Sequence, residues 1–120
     1  HHLPNKESRV DALEEMQRVL NPGGKIIMTN WNTESDWFQD KVKSGDYKQD
    51  RNDSEHFIVP FKNEDQEQIG ERHYWKIDKQ ILQDLTDQLG LKIVSQKYIN
   101  HQGEETQKSQ VMNLLSVFTK

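Results

Sequence analysis

The stretch "NPGGKIIMTNW", Asn21 to Trp31, limits the folds open to this chain more than any other. Before it, "SRVDALEEMQRVL" carries Val10, Leu13, Met16 (or Gln17) and Leu20 near the helical period, with Glu14 and Glu15 on the other face. Asn5 or Ser8 can cap the start of that helix, and Glu7 and Asp11 suit its first turn. Pro22 cannot continue a helix, and Gly23 and Gly24 allow positive φ. Ile26, Ile27 and Met28 then run apolar without alternation. That run predicts a strand covered on both faces, as in a parallel sheet. Helix, tight loop and buried strand make the αβ half of a βαβ unit.

The rest of the chain must be arranged around that unit. Residues 32–76 are rich in Asp, Lys, Gln, Asn and Ser, punctuated by Trp37, Phe38, Tyr47, Phe57, Ile58, Val59 and Phe61. A loop of this length in a compact domain is functional or disordered, and the aromatic anchors argue against disorder. The pattern predicts a short helix around Glu34 to Val42, irregular structure, then an extended piece at "HFIVPF". "DKQILQDLTDQLG" follows, with Ile81, Leu82, Leu85 and Leu89 on one stripe, Asp78 as N-cap and Gly90 as the residue past the C-terminus. "LKIVSQKYI" and "VMNLLSVFTK" read as strands that pair as an antiparallel hairpin across a polar connector. The expected class is α/β, with a mixed sheet that ends on an antiparallel strand. At 120 residues and 32% hydrophobic content, this is one small domain whose core comes from a few dense segments.

Several chemistries are excluded or disfavoured at once. There is no cysteine, so disulfides and thiolate metal sites are absent, as suits a reducing compartment. A formal net charge of -4 gives no global attraction to nucleic acid or an anionic membrane. No apolar run is long enough to span a bilayer. The histidines, at 1, 2, 56, 73 and 101, form no helical i, i+4 pair and no "HExxH", so no metal site is expected. No "GxSxG" elbow and no G-x-G turn is present, and Gly23-Gly24 lies after a helix and before a strand, the wrong order for a cofactor cradle.

The segment "HHLPNKESRVDALEEMQRVLNPGGKIIMTNWN" resembles the second half of class I S-adenosylmethionine-dependent methyltransferases. Ala12, Leu13, Glu15, Arg18, Leu20, Pro22, Gly23 and Gly24 match that family's "ALxExxRxLxPGG" helix ending. "VPF" (Val59 to Phe61), "ERHYWKI" (Glu71 to Ile77) and the leucine-rich helix up to Gly90 are similar to the tRNA wobble-uridine carboxymethyl methyltransferases. Their pattern is roughly "VPW … RYYHxF"; here Phe61 stands for the Trp, and His73-Tyr74-Trp75 for Tyr-Tyr-His. The resemblance implies that residues 1–120 are the C-terminal half of a Rossmann-like methyltransferase fold, with 32–76 as an insertion and the cofactor-binding N-terminal half absent. It implies a three-stranded remnant: "KIIMT" at one edge, the last strand in the middle, "LKIVSQ" at the other edge, with two helices covering it. S-adenosyl-L-methionine is then the cofactor of the parent protein, with no binding by this chain alone. The acceptor is tRNA or a small molecule, the location cytoplasmic, and no membrane is involved. The exposed "KIIMTN" edge predicts self-association.

The same resemblance nominates site residues. His1 and His2 fall at the end of the fourth strand, for contact with the cofactor or the substrate rim; the alternative is a frayed terminus. Asn30 and Trp31 end the fifth strand, where an amide and a flat indole suit a planar acceptor; the alternative is that Trp31 plugs the insertion. Arg72, His73 and Tyr74 are read as substrate or phosphate contacts; otherwise Tyr74 and Trp75 pack on the sheet and Arg72 pairs with a surface acid. Lys41, Lys43, Lys48 and Arg51 alternate with Asp40, Asp46, Asp50 and Asp53, a self-neutralised face. No general base is identified, and the catalytic residues are unknown. Two other classes stay open: transfer to a small molecule or protein, and a non-catalytic interaction domain.

Overall fold

A computed structural model describes the chain from His1 to Lys120. Helix α1 spans Lys6–Val19 and is followed by β1 (Lys25–Trp31). Then come α2 (Asp36–Lys43), β2 (Lys48–Gln49), β3 (His56–Lys62) and β4 (Gln68–Trp75). Helix α3 (Lys79–Leu89), β5 (Lys92–Ile99), a short 3-10 turn at Lys108–Gln110 and β6 (Asn113–Thr119) complete it. The strands form two three-stranded sheets, ordered β1-β6-β5 and β2-β3-β4, and every pairing is antiparallel. No helix is long and apolar enough to cross a membrane.

The caps behave as their chemistry requires. Asn5 Oδ1 accepts from Ser8 N–H at 2.8 Å and Asp78 Oδ1 from Ile81 N–H at 2.9 Å. Each such cap contributes on the order of 1 kcal/mol. Between α1 and β1, Gly23 takes φ +76°, and a Cβ on Gly24 would lie 2.9 Å from the Asn21 carbonyl oxygen. Both glycines are therefore needed for the helix to reverse into the strand across the five residues between Val19 and Lys25.

Helices α1 and α3 lie on one face of the first sheet. Leu13, Ile26, Leu82, Leu85, Leu91, Leu114 and Phe118 are buried there, with Ile77. On α1, Gln17 rather than Met16 completes the stripe: its Nε2 donates to the Leu89 carbonyl at 3.1 Å, while Met16 is exposed. The strand order is the expected one: β1 and β5 at the edges, β6 between them.

The last strand is antiparallel to both neighbours, as expected, but β1 and β5 each pair only with β6, so the sheet holds no parallel pair and is not mixed. A second expectation fails: β1 is not covered on both faces, since Ile26 and Asn30 are buried but Ile27 is 68% exposed. The apolar run anticipates a cover that nothing in this chain supplies. Val94, 52% exposed, shares the uncovered face.

Residues 32–76 are more ordered than expected. The helix and the extended piece "HFIVPF" fall where the pattern placed them, the latter as β3, but β3 is then closed into a second sheet by β2 on one side and by a hairpin with β4 on the other. The turn "NEDQ" is closed by Asn63, whose Oδ1 accepts from Glu67 N–H at 2.9 Å. Arg72, His73 and Tyr74 consequently lie on a strand and not just ahead of a helix. Phe38 of α2 packs with Phe57, Val59 and Tyr74 to form this sheet's own core. On the surface, Lys41–Asp46 (3.0 Å) and Lys43–Asp40 (4.0 Å) pair as solvated ions, in keeping with a self-neutralised face.

Polar links tie the two halves together. Asn32 is 3% exposed; its Nδ2 donates to the carbonyls of Lys108 (2.6 Å) and Val111 (2.8 Å). Glu34 accepts from Lys76 Nζ at 3.2 Å and also from Lys108, and Lys76 reaches Asp78 at 3.3 Å. Burial pushes the Glu34 carboxyl up, but the hydrogen bonds and charges of Lys108 and Lys76 outweigh it, so the group titrates below the ordinary range.

Two outcomes follow for stability. Asn32→Ala leaves two carbonyls short of a donor in a dry site and should cost roughly 2–3 kcal/mol in urea unfolding; a loss within error of zero would show water replacing the amide. A carboxyl with a depressed folded pKa contributes stability above its unfolded value, about 4.3 for Glu, and loses it as pH falls through the folded one. Unfolding measured across pH should therefore show an acid limb that Glu34→Gln flattens, with lower stability at neutral pH. Parallel curves for the two proteins would sink the linkage.

Candidate functional site

The end of β1 meets the free edge of β4, and the site is built there. Trp31 lies on Tyr74 with ring centroids 4.5 Å apart and 16° between planes. Trp37 and Phe38 of α2 present their edges to the indole at 6.4 and 6.3 Å. His1 joins the stack, 5.0 Å from Tyr74 at 10° and 6.2 Å from Trp31 at 25°. The backbone holds it there: Trp75 N–H donates to the His1 carbonyl at 2.8 Å. His2 Nδ1 sits 2.9 Å from the carbonyl of His73. The N-terminal pair is thus packed against both sheets, not frayed.

Asn30, one residue before Trp31, points to the opposite face of β1. It is 3% exposed, and its Oδ1 has no hydrogen-bond donor. It lines a largely apolar cavity of about 230 Å³ together with Met28, Thr29, Leu13, Leu85 and His1. Three consecutive β1 residues line this cavity, although their side chains alternate, so it opens along the strand's free edge.

Arg72 does not join the junction. It lies one cross-strand row further along β4, opposite Val59, with its guanidinium 4.0 Å from the centre of the Phe61 ring. It makes no ion pair with a surface acid; its charge rests on an aromatic face at the exposed end of the hairpin. Of the seven nominated residues, His1, His2, Trp31 and Tyr74 meet in one cluster. Asn30 lies behind it, Arg72 beyond it, and His73 on the other face of β4.

On that other face the structure holds a group the sequence reading missed. His56 Nδ1 is 2.9 Å from Asp50 Oδ2, and His56 Nε2 is 2.8 Å from His73 Nδ1. The His56 ring lies on Trp75 at 4.4 Å with 6° between planes. Asp50 titrates below the ordinary carboxylate range, chiefly because Asn52 N–H bonds to it and then because of His56. In the sequence, His56 and His73 are separated by an unrecognised hairpin. The signal was the polar "KNEDQEQ" between two runs of β-forming residues: a turn there places His56 opposite Trp75 and diagonal to His73. No group of three or more acidic, His or Cys side chains has metal-binding geometry.

Chemically, the junction offers flat aromatic surface, a buried amide oxygen and imidazoles, with no nucleophile–base pair. That is equipment for holding a planar group rather than for covalent catalysis. No protein-family model matches the chain. The chain is 40% identical over 43 residues to the mouse tRNA (carboxymethyluridine(34)-5-O)-methyltransferase ALKBH8, and 42% identical over 43 residues to that of Macaca fascicularis. In each case the match covers 36% of this chain and 6% of the relative, a local similarity to a methyltransferase sequence.

Proposed function

We propose that this chain is the C-terminal part of an S-adenosylmethionine-dependent methyltransferase domain whose acceptor is tRNA. The observation that carries the reading is the stretch at 40% identity to a tRNA methyltransferase. The fold supports it in three ways. The β1-β6-β5 order with α1 and α3 on one face is the arrangement the resemblance implies. The second edge of β1 is unpaired, and the face bearing Ile27 and Val94 lacks a cover, as though a strand and helices belonged there. The aromatic junction lies at the carboxyl end of β1, where ligands bind in open α/β sheets.

In this reading the first half of the domain brings the glycine turn and the carboxylate that hold the cofactor. S-adenosylmethionine supplies the electrophilic methyl group. His1 and His2 border its pocket, Trp31 floors the acceptor side with the Asn30 amide behind it, and Tyr74 fixes the indole. Arg72, and the backbone around His73, face the acceptor's phosphates from the insertion. The protein's contribution is alignment and exclusion of water, not covalent chemistry.

The reading is tested by complementation. Co-expressed with the first half of a wobble-uridine methyltransferase domain, the chain should form a complex that binds S-adenosylmethionine and labels tRNA with a tritiated methyl group. Failure of the two halves to assemble would remove the fold assignment; an assembled, cofactor-binding complex that labels no tRNA would remove the acceptor.

Alone, the chain should bind no S-adenosylmethionine and should associate through β1. An unpaired apolar strand invites a second strand, and so small a domain gains from burying more surface. Light scattering should report a dimer or larger, and Ile27→Lys should return it to the monomer. A monomeric wild type would contradict this.

A further inference from the structure

The Asp50–His56–His73 chain lies outside the junction, on the outer face of the second sheet, and nothing in the proposed transfer chemistry uses it. Its geometry is specific. Two imidazoles joined by an in-plane N–H···N bond of 2.8 Å have ring centres about 5 Å apart, and these are 5.1 Å apart with only 17° between planes. The rings are therefore edge to edge, one flat plate, and not face to face. The plate lies against Trp75, 6° from the His56 ring and 23° from the His73 ring. The indole restricts both rings to rotation within that plane.

Proton counting then sets the tautomers. Asp50 is an ionised carboxylate, held so by Asn52 N–H and by His56. It can only accept, so His56 Nδ1 carries the hydrogen. In the neutral ring His56 Nε2 is then a bare lone pair, and His73 must donate to it from Nδ1. His73 in turn has its lone pair on Nε2. The His73 side chain is exposed and Nε2 has no partner within the chain; His2 bonds to the backbone carbonyl of His73, not to its ring. Lys48, opposite Ile58, and Glu71, opposite Pro60, occupy the neighbouring cross-strand positions.

We propose that Asp50–His56–His73 is a proton-accepting site for a ligand that carries a weakly acidic N–H or O–H group, with His73 Nε2 as the atom that takes the proton. The ligand's X–H bond breaks, its electron pair stays on X, and the proton binds Nε2. The hydrogen on His73 Nδ1 passes to His56 Nε2. The positive charge comes to rest on the His56 imidazolium, beside the Asp50 carboxylate and over the face of Trp75, which stabilise it electrostatically. His56 and Asp50 act through His73 and do not touch the ligand: they are positioning residues. The inference is independent of the methyltransferase reading, since the group sits on the reverse face of β4 from Tyr74.

The test needs no ligand. Long-range proton–nitrogen NMR on the histidine-labelled chain, at a pH above the ordinary histidine range, should find His73 protonated on Nδ1 and bare on Nε2. His101, exposed and without partners, should show the Nε2–H form usual for free histidine. Carbethoxylation by diethyl pyrocarbonate, mapped by mass spectrometry, should be about tenfold faster at His73 than at His101, the effect of one charge-assisted hydrogen bond. Asp50→Asn should abolish the difference. A His73 ring protonated on Nε2, or equal reaction rates in the wild-type chain, would overturn the proposal. Both of those readouts use the unaltered protein and stand even where the variant misfolds.

Discussion

The stacking of Trp31 on Tyr74 is the contact on which the rest of the structure depends. It is where the last residue of β1 meets the second sheet, and it closes the dry core around Phe38, Phe57 and Val59. An aromatic pair of this geometry adds about 0.5–1.5 kcal/mol beyond the burial of its area. The half-exposed ion pairs of Glu34 with Lys76 and Lys108 contribute about 0–1 kcal/mol each and are screened by salt. The ring stack therefore holds the two sheets together, while Asn32 ties the end of β1 to the connector before β6 and Glu34 links that connector to Lys76 after β4. His1 slots into the same stack and takes the one backbone donor, Trp75 N–H, that the free edge of β4 offers there.

The chain divides its apolar residues between two small cores, and this has a cost. The first sheet is covered by helices on one face alone, leaving Ile27 and Val94 in water. The orphan Asn30 oxygen and the cavity beside it lie along the same unpaired edge. An unsatisfied buried acceptor costs about 1–3 kcal/mol, and a free apolar strand edge is open to pairing. The exposed face, the unpaired edge and the unpartnered amide share one physical remedy, a further strand with its covering helices. That agreement supports the proposal that the domain is part of a larger sheet.

Strand β4 shows how one element serves two purposes. Its side chains alternate, so Tyr74 faces the aromatic junction and His73 faces outward. The substitution that distinguishes this chain from the "RYYHxF" pattern, His73-Tyr74-Trp75, keeps the tyrosine that supports Trp31. It changes the two outward positions together into an imidazole and the indole on which the His56 ring rests. The junction and the proton-accepting group can therefore vary independently, although they are adjacent in the sequence.

Much of the first sheet is legible in the chain itself. The helix ends at Pro22-Gly23-Gly24, the Asp78 and Gly90 caps, and the β5–β6 hairpin are local features. Each follows from backbone sterics, hydrogen-bonding groups within a few residues, or the period of the apolar positions. Of the second sheet only β3 was legible, as the extended piece "HFIVPF"; β4 was not, because its apolar alternation is weak and "QIGERHYW" owes its strand state to pairing with β3. The same holds for the site. Sequence named Trp31, His73 and Tyr74, but not that Trp31 and Tyr74 share a stack, nor that Arg72 rests on Phe61. The Asp50–His56–His73 plate was beyond it altogether. Hydrogen bonds between residues 17 apart exist only once a register is set, and register is a property of the paired strands. Composition and local pattern determined which segments become helix or strand in the first sheet; only the tertiary pairing decided which side chains meet, since contact depends on which face of a strand each residue occupies.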